Sequence, residues 1–155
     1  MTMNIEEINN EIRGMGYTPF VPKTERPNFY RLDDGAIIRI YPILNALYLN
    51  PSQMESMQMN IQSNVSTFVP KRLRSDPSNR SYTQEELQTN IDVYDMEFTI
   101  LDENFNTYDV DSKWILSVKT ALSQVSKTKL FSNLGEPIYL VSTTLIPKVK
   151  PRNVK

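Results

Sequence analysis

Cysteine and histidine are both missing from the 155 residues. Without cysteine there is no disulfide, no thiolate nucleophile and no thiolate metal site. Without histidine the chain lacks the commonest metal ligand and the usual general base near neutral pH. Glycine is scarce, at four residues. Gly14-Met15-Gly16 falls at the end of a helical pattern and does not open one, so it is not a phosphate-cradling loop. Neither sign of charge dominates: 17 Lys and Arg stand against 18 Asp and Glu, for a net charge of −1. There is thus no global electrostatic case for nucleic acid or an anionic membrane. No apolar run approaches the ~18 residues needed to span a bilayer. Met1-Thr2-Met3-Asn4 does not read as a secretory signal. The expectation is a soluble, cytoplasmic chain that meets no membrane, in which the sequons at Asn64 and Asn79 are coincidental.

What is present is an internal likeness. At an offset of 78 residues, Phe20, Glu25, Asn28, Tyr30, Asp33, Ile37 and Leu44 align with Phe98, Glu103, Asn106, Tyr108, Asp111, Ile115 and Leu122. These are seven identities in the 28 positions from 20 to 47. Apolar steps agree as well: Leu32 with Val110, Ile38 with Leu116, Ile40 with Val118 and Leu47 with Val125. Upstream, at offset 79, Asn4-Ile5-Glu6-Glu7-Ile8 faces Thr83-Gln84-Glu85-Glu86-Leu87. Downstream, at offset 77, Thr67-Phe68-Val69-Pro70-Lys71 faces Thr144-Leu145-Ile146-Pro147-Lys148. Three collinear blocks point to a tandem duplication, which governs the architecture if present.

The organisation expected from this is a first unit over 1–72, a linker over 73–82, a second unit over 83–148 and a basic tail over 149–155. A unit of about 75 residues buries only around 60% of its unfolded surface, so two units are expected to share one body. Each begins with a short helix, near 5–14 and 83–91. The cap residues Asn4 and Thr83 each have a Glu three positions on, the capping-box spacing. Strands are expected near 17–22 and 93–101, then at 28–32 and 106–110. Asp33-Asp34-Gly35 reads as a hairpin turn, whereas Asp111-Ser112-Lys113 demands a different turn type. The next arm fits a helix through Ile115, Val118, Leu122 and Val125, and equally fits a strand. Pro42 in the first copy decides for strands, since an interior helix proline costs about 3 kcal/mol. Final strands at 61–69 and 138–146 end at Pro-Lys. The predicted fold is α+β, dominated by antiparallel strands, with two units about a pseudo-twofold axis as a double sheet or small barrel-like body.

No convergent catalytic set emerges. Asp102-Glu103-Asn104-Phe105-Asn106 is spaced like the start of a calcium loop, but Thr107 and Lys113 stand where that loop needs Gly and Glu. Ser126-Lys127-Thr128-Lys129 has a Ser-x-x-Lys spacing without its partner motifs. Asp92, Asp95 and Glu97 read as a solvated acidic face. Neither cofactor nor metal is expected. Basic residues cluster in the linker (Lys71, Arg72, Arg74, Arg80) and at the tail (Lys148, Lys150, Arg152). They are candidate contacts to a partner or to phosphates, with Tyr41 or Tyr48 as stacking surfaces. Met54, Met57 and Met59 form a second candidate surface in the connector 50–60, adaptable because methionine is flexible. The leading expectation is a non-enzymatic binding or assembly module that recognises a protein partner or itself. The alternative is nucleic-acid binding through linker and tail. An enzyme using Asp, Glu, Lys or Tyr ranks third.

Overall fold

The computed structural model describes residues 2–50 and 53–152, with the side chains of 53–56 outside the description. Helix α1 (Ile5–Gly14) is capped by Asn4, whose side chain accepts from the Glu7 amide at 2.8 Å. Gly16, at φ +96°, follows its last turn. Helix α2 (Gln84–Thr89) has the complete capping box, Thr83 and Glu86 each bonding the other's amide. Both first turns carry two glutamates, which favour the positive end of the helix dipole.

The first half continues as β1 (Phe20–Thr24), β2 (Asn28–Leu32), β3 (Ile37–Asn50) and β4 (Gln53–Phe68), then a single 3-10 turn at Lys71–Leu73. After α2 come β5 (Ile91–Val93), β6 (Phe98–Asp102), β7 (Asn106–Val110), β8 (Trp114–Phe131) and β9 (Pro137–Pro151). The ambiguous arm is strand in both halves. Pro42 sits in β3 opposite Ser63, beyond the last β2 pair of Asn28 with Ile40, where β3 has lost one neighbour. The turns differ as expected: Gly35 takes φ +95° in the first, while Asp111 and Ser112 are both left-handed in the second, at +51° and +56°.

Two antiparallel sheets result, one ordered β4–β3–β2–β6 and the other β1–β7–β8–β5, with β9 on β8. The halves exchange strands. β1 of the first half pairs with β7, and β6 of the second pairs with β2. Two apolar clusters fill the interior. One gathers Tyr30, Leu32, Ile38 and Ile40 with Leu122 and Val125 from the other half. The other gathers Tyr108, Val110, Leu116 and Val118 with Leu44 and Leu47. Each named residue of one cluster lies 78 positions from a member of the other. A β-bulge also recurs at that spacing, between Leu44 and Ala46 and between Leu122 and Gln124.

Several boundaries depart from the sequence reading. The first strands are shorter and later, at 20–24 and 98–102. The connectors expected at 50–60 and 126–137 are instead the tips of two long hairpins, β3–β4 and β8–β9. Pro147-Lys148 does not end the last strand, which runs on to Pro151. Among the described residues no helix is long and apolar enough to cross a membrane.

Candidate functional site

Three of the four polar identities at offset 78 converge on the seam between the halves. Asn28 is buried; its carboxamide oxygen accepts the Asn104 amide at 2.8 Å and its nitrogen donates to the Thr120 carbonyl at 2.8 Å. Asn106, equally buried, accepts the Arg26 amide at 2.8 Å. Tyr30 donates to Glu103 at 2.6 Å and Tyr108 donates to Glu25 at 2.9 Å. Tyr30 also accepts the Leu122 amide at 3.2 Å. Phe98 stands edge-on to Tyr30, and Phe20 to Tyr108, each with ring centroids 5.7 Å apart. Apart from the Asn28 bond to the Thr120 carbonyl, each of these contacts has its counterpart 78 residues away, the Leu44 amide standing to Tyr108 as the Leu122 amide does to Tyr30. Burial, reinforced by the glutamate each phenol bonds, holds Tyr30 and Tyr108 well above the ordinary tyrosine range. Both stay protonated donors across physiological pH.

A third polar knot has no such counterpart. Asp34, in the β2–β3 turn, accepts from Lys127 Nζ at 3.0 Å, from the Tyr139 hydroxyl at 2.6 Å and from the Ala36 amide at 2.9 Å. Arg72 donates to the Asp34 carbonyl. Burial alone would push the Asp34 carboxyl up, but the bonds from Tyr139, Ala36 and Lys127 outweigh it and hold it below the usual range. Burial and the Asp34 carboxylate in turn push the Tyr139 phenol up. No local pattern signals this knot, because its members lie 93 and 105 residues apart.

The candidate basic residues fall into two places. Lys71, Arg72, Arg74 and Arg80 are exposed along the linker. That linker is nonetheless pinned: the Ser75 amide donates to the Gly135 carbonyl at 2.8 Å and the Ser78 amide to that of Asn133 at 3.2 Å. Lys148, Lys150 and Arg152 lie on and just beyond β9. Lys148 rests over the Phe105 ring at 4.5 Å, and Arg152 pairs with Asp109 at 2.9 Å. Each cluster therefore reaches a hairpin turn, Arg72 at Asp34 and the Arg152 amide at the Lys113 carbonyl, 2.8 Å away. Among the described residues Lys71, Arg74, Arg80 and Lys150 enter no ion pair.

At the tail end, Tyr17 and Tyr48 pack with centroids 4.6 Å apart, both partly exposed. Beside them a hollow of about 250 Å³ is lined by Arg13, Tyr17, Lys113 and Trp114. Tyr41 instead lies half-buried in β3 opposite Asn64. Of the methionines, Met57 and Met59 are half-buried and pack on the second core cluster. The Met54 side chain lies outside the described residues.

The acidic stretch 102–106 is drawn into the seam. Asp102 pairs with Arg26 at 3.8 Å, Glu103 with Lys119 at 3.3 Å as well as Tyr30, and Asn106 with the Arg26 amide. Ser126 accepts the Asp95 amide at 3.2 Å. Among the described residues no three Asp or Glu side chains converge as a metal site. Set against protein-family models, curated proteins and solved structures, the chain matches none of them.

Proposed function

We propose that the chain is a non-enzymatic binding or assembly module, a tandem duplication whose halves pack about a pseudo-twofold axis, recognising a protein partner or a second copy of itself. The observation that carries this reading is the reciprocity of the seam. Asn28 and Asn106, Tyr30 and Tyr108, and Glu25 and Glu103 are three of the polar pairs kept between the halves, and their side chains bond one half to the other. Such buried, mutually satisfied polar groups fix one arrangement of the chain. The polar side chains most perturbed by burial are thus engaged inside the body, and a rigid scaffold offers its surfaces and strand edges outward. Recovery of the intact chain from native lysate, with and without nuclease, tests the reading. Partners that survive nuclease and bind purified chain directly support it. Turnover of a substrate that depends on one carboxylate overturns it.

A second reading, nucleic-acid binding, rests on one specific juxtaposition. The tail cations Lys150 and Arg152 arrive at the same turn as Lys113, beside Tyr17, Tyr48 and Trp114. Cations interleaved with aromatic rings are the means by which single strands are held. Nuclease-sensitive recovery, with affinity that falls steeply as salt is raised, supports this reading over the first.

A further inference from the structure

The sheets end in strands of very different character. β1 carries Pro22 and Lys23, β5 has three residues including Asp92, and β6 has five ending in Asp102. β9, the long free edge on β8, carries Pro147, Lys148, Lys150 and Pro151. Proline, lysine, short length and charge are the devices that keep a sheet edge from pairing with another chain. β4 carries a single charge, Glu55, near its start at the hairpin tip, and none of these devices beyond it. It pairs with β3 alone among the described residues, and from Met57 to Phe68 it contains no charge, proline or glycine. Those twelve residues leave about 40 Å of backbone rim open at ~3.4 Å per residue.

The side chains along that rim are self-complementary. Gln58, Asn60, Gln62 and Asn64 alternate on the exposed face, while Met57, Met59, Ile61 and Ser63 turn inward and are half-buried. The amide run is symmetric about Ile61. Two antiparallel copies of β4 related by a twofold at Ile61 set Asn60 against Gln62 and Gln58 against Asn64 of the second chain. Each carboxamide both donates and accepts, so every such pair is satisfied without opposing like charges. On the other face of the strand the same register brings Met57 against Val65, an exposed apolar residue.

We infer that two copies of this chain join edge to edge through β4, antiparallel about Ile61, to form one continuous eight-stranded sheet. This rests on the assembly reading above and names its partner: a second copy of the chain. A twofold contact of this kind is closed, so it yields a dimer and not a fibre.

Sedimentation equilibrium of the intact chain tests it. The wild type approaches twice the 18.0 kDa of one chain as concentration rises. The double substitution Asn60→Lys with Gln62→Lys places lysines opposite one another in the dimer and weakens it by about tenfold or more. Both side chains are exposed, so the circular dichroism and melting of the single chain are unchanged. Asn60→Glu with Gln62→Glu does the same alone, and mixing the two double variants restores association. A wild-type dimer that the lysines leave intact, or a mixture that fails to reassociate, overturns the β4 edge while self-association stands. A wild type that stays monomeric throughout overturns both this inference and self-association, and leaves the protein-partner reading to the lysate experiment.

Discussion

Removing one hydroxyl from each side of the seam gives a quantitative test of its reciprocity. Tyr30→Phe keeps the ring and its edge-on contact with Phe98 but deletes the donor to Glu103 and the acceptor of the Leu122 amide. A hydrogen bond to a charged group contributes about 1.5–3 kcal/mol, and a buried amide left without a partner costs about 1–3 kcal/mol. Allowing for partial relaxation, the loss is about 2–4 kcal/mol. Tyr108→Phe removes the bond to Glu25 and the acceptor of the Leu44 amide, and is expected to cost the same within about 1 kcal/mol. The two sites share no partner, so the double variant loses the sum of the two. Urea unfolding followed through Trp114, the sole tryptophan, measures all three. A loss below about 0.5 kcal/mol for either variant, or a severalfold difference between them, refutes the reasoning.

Four further outcomes follow from other parts of the structure. A Cβ at Gly135 would stand 2.0 Å from the Ser75 carbonyl oxygen, at φ +81°; Gly135→Ala therefore costs roughly 2–3 kcal/mol and loosens the linker, read by melting and by proteolysis near Ser75. Ser112 holds φ +56°, which costs an ordinary residue about 1 kcal/mol; Ser112→Gly stabilises the chain by up to about that amount in urea unfolding. Tyr30, Tyr108 and Tyr139 have phenols raised above their ordinary value near 10, so their contribution is full below about pH 10 and lost as pH rises through the folded values. Asp34 works in the opposite sense. Its contribution is present above about pH 3.9 and lost as pH falls through its lowered folded value, so Asp34→Asn flattens the acid limb of a stability–pH curve.

The class of fold was legible because its signals are local. Asn4 and Thr83 announce helix starts, Asp33-Asp34-Gly35 announces a turn, and Pro42 removes a helix from consideration. The long hairpin arms were not legible for a physical reason. In 57–64 the apolar residues Met57, Met59 and Ile61 do alternate with amides, but Asn and Gln are poor strand formers and methionine is indifferent. Ser126 and Thr128 are buried in β8 although neither reads as core. Pro147 reads as a stop, yet at a free edge a missing amide costs little and β9 continues past it. The exchange of β1 and β6 between halves, and the Asp34–Lys127–Tyr139 knot, join residues more than 65 positions apart, where no local pattern reaches. The seam lies between these extremes. Its polar members stood out in the sequence as identities, and only their mutual contacts gave those identities a role.

Native-state hydrogen exchange at two loop amides tests most directly whether the halves are equivalent and locked together. Arg26 bonds the Asn106 side chain and Asn104 bonds that of Asn28, each at 2.8 Å. If the seam holds one cooperative body, both amides exchange only through global unfolding, at rates within about tenfold of each other and with the denaturant dependence of the whole transition. Fast exchange of either amide by local opening, without that denaturant dependence, would contradict the account.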